Sequence, residues 1–192
     1  MDRHYDITII GSGTAGLSAA LYIKRAGLTC AVIGKDGGAL EKAEKIENYF
    51  GTGAISGAEL VKRGVEQAKE LRADIFREEV FSLGWNGDYT VSCSEDNFVS
   101  PAVIIATGSA RKSGNIPGIK EFEGKGVSYC AVCDAFFYRG KAAAVLGQGE
   151  YALEEARVLL AVAESVTLLT NGQDAPAPLP AGLSVDTRRI SS

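Results

Sequence analysis

The chain has one histidine, one tryptophan, one methionine, five prolines and four cysteines in 192 residues. His4 stands far from every close pair of cysteines, so nothing completes a zinc site and no metal centre is expected. No apolar run approaches the ~18 residues of a membrane-spanning helix. The N-terminus, MDRHYDITII, lacks the layout of a signal peptide. A secreted disulfide scaffold is therefore not expected, and the setting is read as cytoplasmic. Basic runs are missing as well. Twenty Lys and Arg against 24 Asp and Glu leave a net charge of −4, which argues against nucleic acid as a partner. Hydrophobic residues at 46% and charged residues at 23% are ordinary globular levels, which excludes extensive disorder.

What the chain has in excess is glycine, 23 residues, well above the ~7% that is typical. There is no collagen-like period, so these glycines should mark tight turns and close approaches of backbone to ligand. Tyr5–Ile10 reads as a buried strand, Gly11-Ser12-Gly13-Thr14-Ala15-Gly16 follows, and residues 17–27 read as a helix. Thr29–Ile33 is the next strand. This is a βαβ unit of the size that holds a dinucleotide. The first glycine permits the turn, the second lets backbone touch a pyrophosphate, and the third lets helix and strand pack closely. The helix N-terminus offers N–H groups to the anion. Asp36 stands one or two residues late for a ribose-holding carboxylate, and reads equally well as a turn aspartate.

Ser56–Arg72 reads as an amphipathic helix with a capping box at Ser56 and Glu59. Residues 73–99 read as short strands with a hairpin turn at 85–88, and Val103–Ile105 as a further buried strand. Ser109–Gly118 is a polar connection and the expected domain boundary. A second strand–turn–helix runs through Ala142–Leu146 and Gly147-Gln148-Gly149-Glu150-Tyr151-Ala152 into residues 153–164, with Ser165–Thr170 as its closing strand. Ala152 replaces the third glycine, which this turn tolerates. Residues 170–173 (TNGQ) bring neither an acidic residue nor an arginine cluster, so this unit reads either as a nicotinamide dinucleotide site or as a structural unit. The tail beyond holds Pro176, Pro178 and Pro180 and little periodicity. The expected fold is α/β: two Rossmann-like three-layer dinucleotide-binding domains, 1–112 and 113–192, the second truncated.

Only Cys130 and Cys133 lie close together, as Cys-x-x-Cys, which can supply two zinc ligands but not four. Between two dinucleotide turns the pair reads as redox-active. A helix starting there would favour the thiolate. The adjacent Asp134 suits general acid–base work, or simply caps a helix. Cys30 and Cys93 fall in strand patterns and read as small buried hydrophobes.

GSGTAG, ENYFG, IIATG, IPG, GVSYCAVCDAFFYRGK and GQGEYALEEA, in this order, resemble the low-molecular-weight thioredoxin reductases over residues 5–172. The resemblance implies an oxidoreductase in which FAD lies on Gly11, Ser12, Gly13, Thr14, Ala15 and Gly16. Gly38, Ala39, Leu40 and Asn48 would approach the flavin and its chain, and Ala106, Thr107 and Gly108 would lie beside it. It further implies NADPH or NADH on Gly147, Gly149, Glu150, Tyr151 and Ala152. Cys133 would face the flavin, Cys130 would attack the partner's disulfide, and Asp134 would manage the proton. Thioredoxin or a similar small redox protein is the implied partner, and a homodimer the implied assembly. A ferredoxin-dependent reductase and a non-catalytic FAD-binding fragment are the alternatives. Three departures stand out: Ala39 in place of a glutamine, TNGQ in place of a basic motif, and no closing flavin-contacting segment. The last leads to the expectation that this chain alone is inactive.

Overall fold

A computed structural model describes residues 1–109 and 116–190. The chain divides into two compact units, Met1–Arg111 and Lys112–Ser192. The connection expected at Ser109–Gly118 and the boundary at 112 fall mostly outside the described residues.

The first unit opens with β1 (Asp2–His4) and β2 (Ile7–Ile10), then α1 (Thr14–Arg25) and β3 (Cys30–Ile33). α2 (Gly57–Glu70) and β4 (Asp74–Phe76) follow. β5 (Ser82–Asn86), β6 (Asp88–Ser92), β7 (Asn97–Ser100) and β8 (Ala102–Ile105) complete it. Two sheets result: a parallel sheet in the order β4-β3-β2-β8 and a mixed sheet in the order β1-β7-β6-β5. β2 is central to the parallel sheet, with Ile7 opposite both Cys30 and Ala102.

Strand alternation builds three layers. Ile9, Cys30 and Val32 face the helices and pack with Leu17, Ala20 and Ile23 of α1 and Val61 and Ala68 of α2. Ile10, Ala31 and Ile33 face the other way and pack with Val91 and Phe98 of the mixed sheet. A run with no polar alternation is thus buried on both faces, as parallel strands require. Thr8 is the polar exception, fully buried and accepting a hydrogen bond from the Ser100 hydroxyl at 2.8 Å.

The strand read over Tyr5–Ile10 starts only at Ile7, and Asp6 before it makes side-chain bonds instead. Its backbone N–H donates to Thr29 Oγ1 at 3.0 Å, and its carboxylate accepts from the Thr29 backbone and hydroxyl, both at 2.7 Å. This clasp ties the start of β2 to the start of β3. At α2 the capping box is half built. Ser56 Oγ accepts from the Glu59 backbone at 3.2 Å, but the Glu59 carboxylate turns to Arg63 at 3.0 Å. The turn at 85–88 forms as expected, with Gly87 at φ 87° between the paired Asn86 and Asp88.

In the second unit, α3 (Ala131–Asp134) precedes β9 (Ala142–Leu146), α4 (Glu150–Leu160), β10 (Ser165–Leu169) and β11 (Leu183–Asp186). The sheet is parallel, in the order β11-β10-β9. Leu153, Ala156 and Leu159 of α4 are buried against Val166 and Leu168 of β10. β11 was not legible in the tail. It pairs in parallel with β10 through Val166 opposite Leu183.

Candidate functional site

The glycine turn after β2 is held from both sides. Gly11 N–H donates to Ile33 O and Ala106 N–H to Ile10 O, each at 2.7 Å. A Cβ on Gly11, whose φ is +115°, would stand 2.2 Å from Ala106 O. A Cβ on Gly16 would stand 1.8 Å from Gly11 O. Both glycines are therefore demanded by the fold itself. Gly13 is different: a Cβ there would meet only Gly37 O, at an ordinary 3.5 Å. The fold leaves room for a side chain at Gly13, and that room opens onto a cleft.

The cleft measures about 600 Å³ and lies at the carboxyl edge of the parallel sheet. It is lined by Gly11, Ser12, Gly13, Thr14 and Ala15, by residues 33–40 including Gly38, Ala39 and Leu40, and by Ala106, Thr107 and Gly108. Three segments separated by 18 residues or more in sequence thus meet at one site. The helix begins at Thr14, inside the glycine turn, rather than at Leu17 as the apolar pattern suggests. Its first-turn N–H groups, which have no partner within a helix, therefore belong to the turn.

Of four further candidates, Gly16 and Asn48 lie off the cleft, while Ser12 and Asp36 line it but turn their polar side-chain atoms to the protein. Gly16 is buried beneath the turn and packs helix on strand. Ser12 turns its hydroxyl to Asp36 O at 2.8 Å, tying the turn to the loop after β3. Asp36 accepts the Gly38 N–H at 2.9 Å, so its carboxylate serves the local turn. Asn48 is exposed and does not line the cleft. An antiparallel bridge between Ile46 and Ile55 closes its loop.

The cleft also takes Glu78, Glu79 and Val80, which sequence reasoning missed. They follow β4, and only its pairing with β3 brings them there. One Glu78 carboxylate oxygen is buried without a hydrogen-bond partner. Burial, with the Glu78 and Asp96 charges behind it, pushes the Cys93 thiol up to about 11. Cys30 is buried and its thiol is likewise raised by burial. Neither thiol is suited to nucleophilic chemistry at neutral pH.

In the second unit, Gly147 N–H donates to Leu169 O at 3.1 Å, and Gly149 adopts φ +81° just before α4. A Cβ on Gly147 would approach the Ala152 methyl at 3.1 Å, so this turn is looser than the first. Ala152 is buried in the core, where it fills the packing role of a third glycine. Glu150 and Tyr151 are exposed, and Glu150 pairs with Arg157 at 3.0 Å. The end of β10 is not without basic groups in space. Arg189, which follows β11, lies against Gly172, its Cγ 2.6 Å from where a Cβ would stand. Arg188 is engaged by Asp186, whose carboxyl it holds down at about 2.

Cys130 and Cys133 form a disulfide. Cys130 occupies the N-cap of α3, and its Sγ accepts the Cys133 N–H at 3.2 Å. Cys130 is half-buried and Cys133 exposed. The Ser128 hydroxyl accepts the Cys130 N–H at 3.1 Å and itself donates to Asp134 Oδ2. The Ala131 N–H donates to Glu155 Oε2 of α4 at 2.5 Å. Burial, with the Asp134 charge, raises the Tyr138 phenol. A disulfide, a carboxylate one residue on and a hydroxyl linking that carboxylate to the cysteine backbone form one connected group.

Residues 5–184 match the family model described as pyridine nucleotide–disulphide oxidoreductase. The chain is 40% identical to the thioredoxin reductase of Ureaplasma parvum serovar 3 over 170 residues, covering 87% of this chain and 55% of that protein. It is 40% identical to the thioredoxin reductase of Aquifex aeolicus over 184 residues, covering 92% and 56%. The crystal structure of thioredoxin reductase from Streptococcus pyogenes superposes with a TM-score of 0.85 at 31% identity, covering 98% of this chain and 67% of that one. Thioredoxin reductase from Giardia duodenalis superposes with a TM-score of 0.88 at 31% identity, covering 95% and 63%. The chain spans little more than half the length of the curated relatives it matches.

Proposed function

The chain belongs to the pyridine nucleotide–disulphide oxidoreductase family, and we propose that it works as a disulfide reductase of the thioredoxin reductase type. In this reading the first unit holds FAD, the second takes NADPH or NADH, and Cys130–Cys133 passes electrons to thioredoxin or a similar small redox protein. The observation that carries it is the disulfide at the N-cap of α3 with Asp134 joined to its backbone through Ser128.

The first cleft suits FAD. Gly13 leaves unfilled the space a pyrophosphate would need, and the first turn of the twelve-residue α1 supplies N–H donors beside it. FAD, when bound, supplies hydride acceptance from a nicotinamide and electron delivery to a disulfide. Gly11–Ala15 would hold its phosphates, and Gly38–Leu40 and Ala106–Gly108 would form the walls.

Chemistry at the reduced pair follows from its own geometry. The Cys133 N–H that now meets Cys130 Sγ would steady a thiolate there, which supports Cys130 as the attacking residue. Cys130 Sγ bonds to one sulfur of the partner's disulfide, and the other partner sulfur leaves as thiolate and takes a proton. Cys133 then attacks Cys130 Sγ, the mixed disulfide breaks, and the second partner thiol departs. Two electrons move and the Cys130–Cys133 bond reforms. Asp134, one residue after Cys133, would hand on the protons, and the Ser128 hydroxyl donates to its carboxylate.

Anaerobic mixing of the FAD-loaded protein with NADPH, NADH and reduced ferredoxin, each in parallel, followed by oxidised thioredoxin, tests this reading. Thioredoxin thiols that appear with a nicotinamide donor bear out this reading and overturn the expectation that the chain alone is inactive. Cys130→Ser should abolish them while bound flavin remains reducible. Thioredoxin reduction that survives in that variant would refute the role given to the pair. A homodimer in the cytoplasm belongs to the same proposal, and sedimentation of the purified protein checks the assembly. No helix among the described residues is long and apolar enough to cross a membrane.

A further inference from the structure

Glu155 sits on α4, 24 residues beyond the cysteine turn, yet its carboxylate is bound to that turn. Oε2 accepts the N–H of Ala131 at 2.5 Å, and Ala131 is bonded directly to Cys130. Glu155 is half-buried, and Ala131 is buried against Ala156 and Leu159 of the same helix. The cysteine turn is therefore docked on α4 through apolar packing and one charged hydrogen bond.

We propose that Glu155 is a positioning residue for the redox pair: it docks the cysteine turn on α4 and sets a fixed negative charge beside Cys130 that disfavours the thiolate and so favours the disulfide. This rests on the disulfide-reductase reading of Cys130–Cys133. Two local donors act on Cys130 in opposite senses. The Cys133 N–H points at its sulfur and favours thiolate. The Ala131 N–H, next along the chain, is taken up by Glu155 instead and brings a carboxylate with it. A reductant that must give electrons away benefits from a dithiol that oxidises readily, which a neighbouring anion promotes.

The other charged groups around the turn are otherwise engaged. Asp134 is held by Ser128, and the Tyr138 hydroxyl donates to Gly126 O at 3.1 Å. Arg139 lies over the Phe136 ring. On α4 itself, Arg157 is shared between Glu150 and Glu154. Glu155 alone among the three α4 glutamates Glu150, Glu154 and Glu155 is bonded to the cysteine turn.

The test uses the full chain and three variants. Glu155→Gln keeps an acceptor and removes the charge, Glu155→Ala removes both, and Glu154→Gln changes charge one residue away. Each protein is equilibrated anaerobically with mixtures of reduced and oxidised dithiothreitol. Dithiothreitol gives two electrons and two protons to the pair and closes to its cyclic disulfide. Thiol labelling and mass spectrometry give the exchange constant. The rate of Cys130 alkylation by iodoacetamide against pH gives thiolate content in the reduced protein. Glu155→Gln should raise Cys130 reactivity at neutral pH and ease reduction of the pair, each by about three- to tenfold. A tenfold change in the exchange constant is about 30 mV. Glu155→Ala should do at least as much, and Glu154→Gln should match wild type. Wild-type values in Glu155→Gln, or an equal shift in Glu154→Gln, would overturn the assignment and leave the redox reading standing. A wild-type disulfide that does not cycle with dithiothreitol would overturn both.

Discussion

At the scale of the residue, the three glycines of the first turn look alike in sequence and differ in what they oppose. A Cβ on Gly11 or Gly16 would stand 2.2 or 1.8 Å from a backbone oxygen, whereas one on Gly13 would meet only Gly37 O at an ordinary 3.5 Å. Gly16→Ala should therefore fail to fold, as seen by loss of cooperative unfolding. Gly13→Ala should fold with near-wild-type stability but bind FAD at least tenfold more weakly, measured by flavin fluorescence. Equal behaviour of the two variants would contradict the division. Asp6 carries a pH-dependent share of stability. Hydrogen bonds from the Thr29 backbone and then its hydroxyl hold its carboxyl below the ordinary 3.8. A depressed carboxyl contributes fully above its unfolded value and loses that contribution as pH falls through the folded one. The stability gap between wild type and Asp6→Asn should be constant from about pH 5 to 7 and shrink below about pH 4. Urea unfolding across that range checks it. Much at this scale was legible: the glycine turn, the cysteine pair and the burial of Cys30 all follow from type and spacing. Asp36 admits two readings in the sequence, because a carboxylate at a strand end can serve a ribose or its own turn, and the bond from Gly38 decides for the turn. Glu78 and Glu79 carry no local signal, because a strand pairing brings them to the cleft.

Elements were legible where one face meets a core. α1 and α4 each begin earlier than their apolar periodicity indicates, at Thr14 and Glu150 instead of Leu17 and Leu153. The reason is common to both: the first two residues are exposed and the buried third, Gly16 or Ala152, is small, so no large apolar side chain marks the first turn. β11 was hidden behind three prolines, since a parallel strand recruited over 13 intervening residues leaves little local trace. The buried face of α4 sets its stability. Leu153 is fully buried, and Leu153→Ala should cost about 2–5 kcal/mol. Ser56→Ala should cost α2 about 0.5–2 kcal/mol, because only the Ser56 half of the capping box is in use. Denaturant unfolding of each variant measures both, and a Ser56→Ala variant as stable as wild type would show that the cap is idle.

Across the whole molecule, the two candidate sites belong to different units: the cleft to Met1–Arg111, the disulfide to Lys112–Ser192. Binding and thiol chemistry should accordingly separate under mutation. Gly13→Ala should leave the dithiothreitol equilibrium of Cys130–Cys133 unchanged, and a Cys130→Ser, Cys133→Ser double variant should bind FAD as wild type does. Flavin fluorescence and thiol labelling on the same samples decide the point. The two-unit α/β plan was readable from two strand–turn–helix signatures. The mixed sheet of the first unit was readable only as short strands, because its closing pair, β1 with β7, joins residues 95 apart.

That pairing distance governs how the chain can mature on the ribosome. β1 and β2 find their partners β7 and β8 some 95 residues later, at Asp2 opposite Asn97 and Ile7 opposite Ala102. At translation speeds of roughly 5–20 residues per second, the first strands wait about 5–20 s for their partners to be made. Through that interval the apolar run Ile7–Ile10 emerges unpaired on one side and is a ready site for chaperones. The last wall of the cleft, Ala106–Gly108, is also the last part of it to be synthesised.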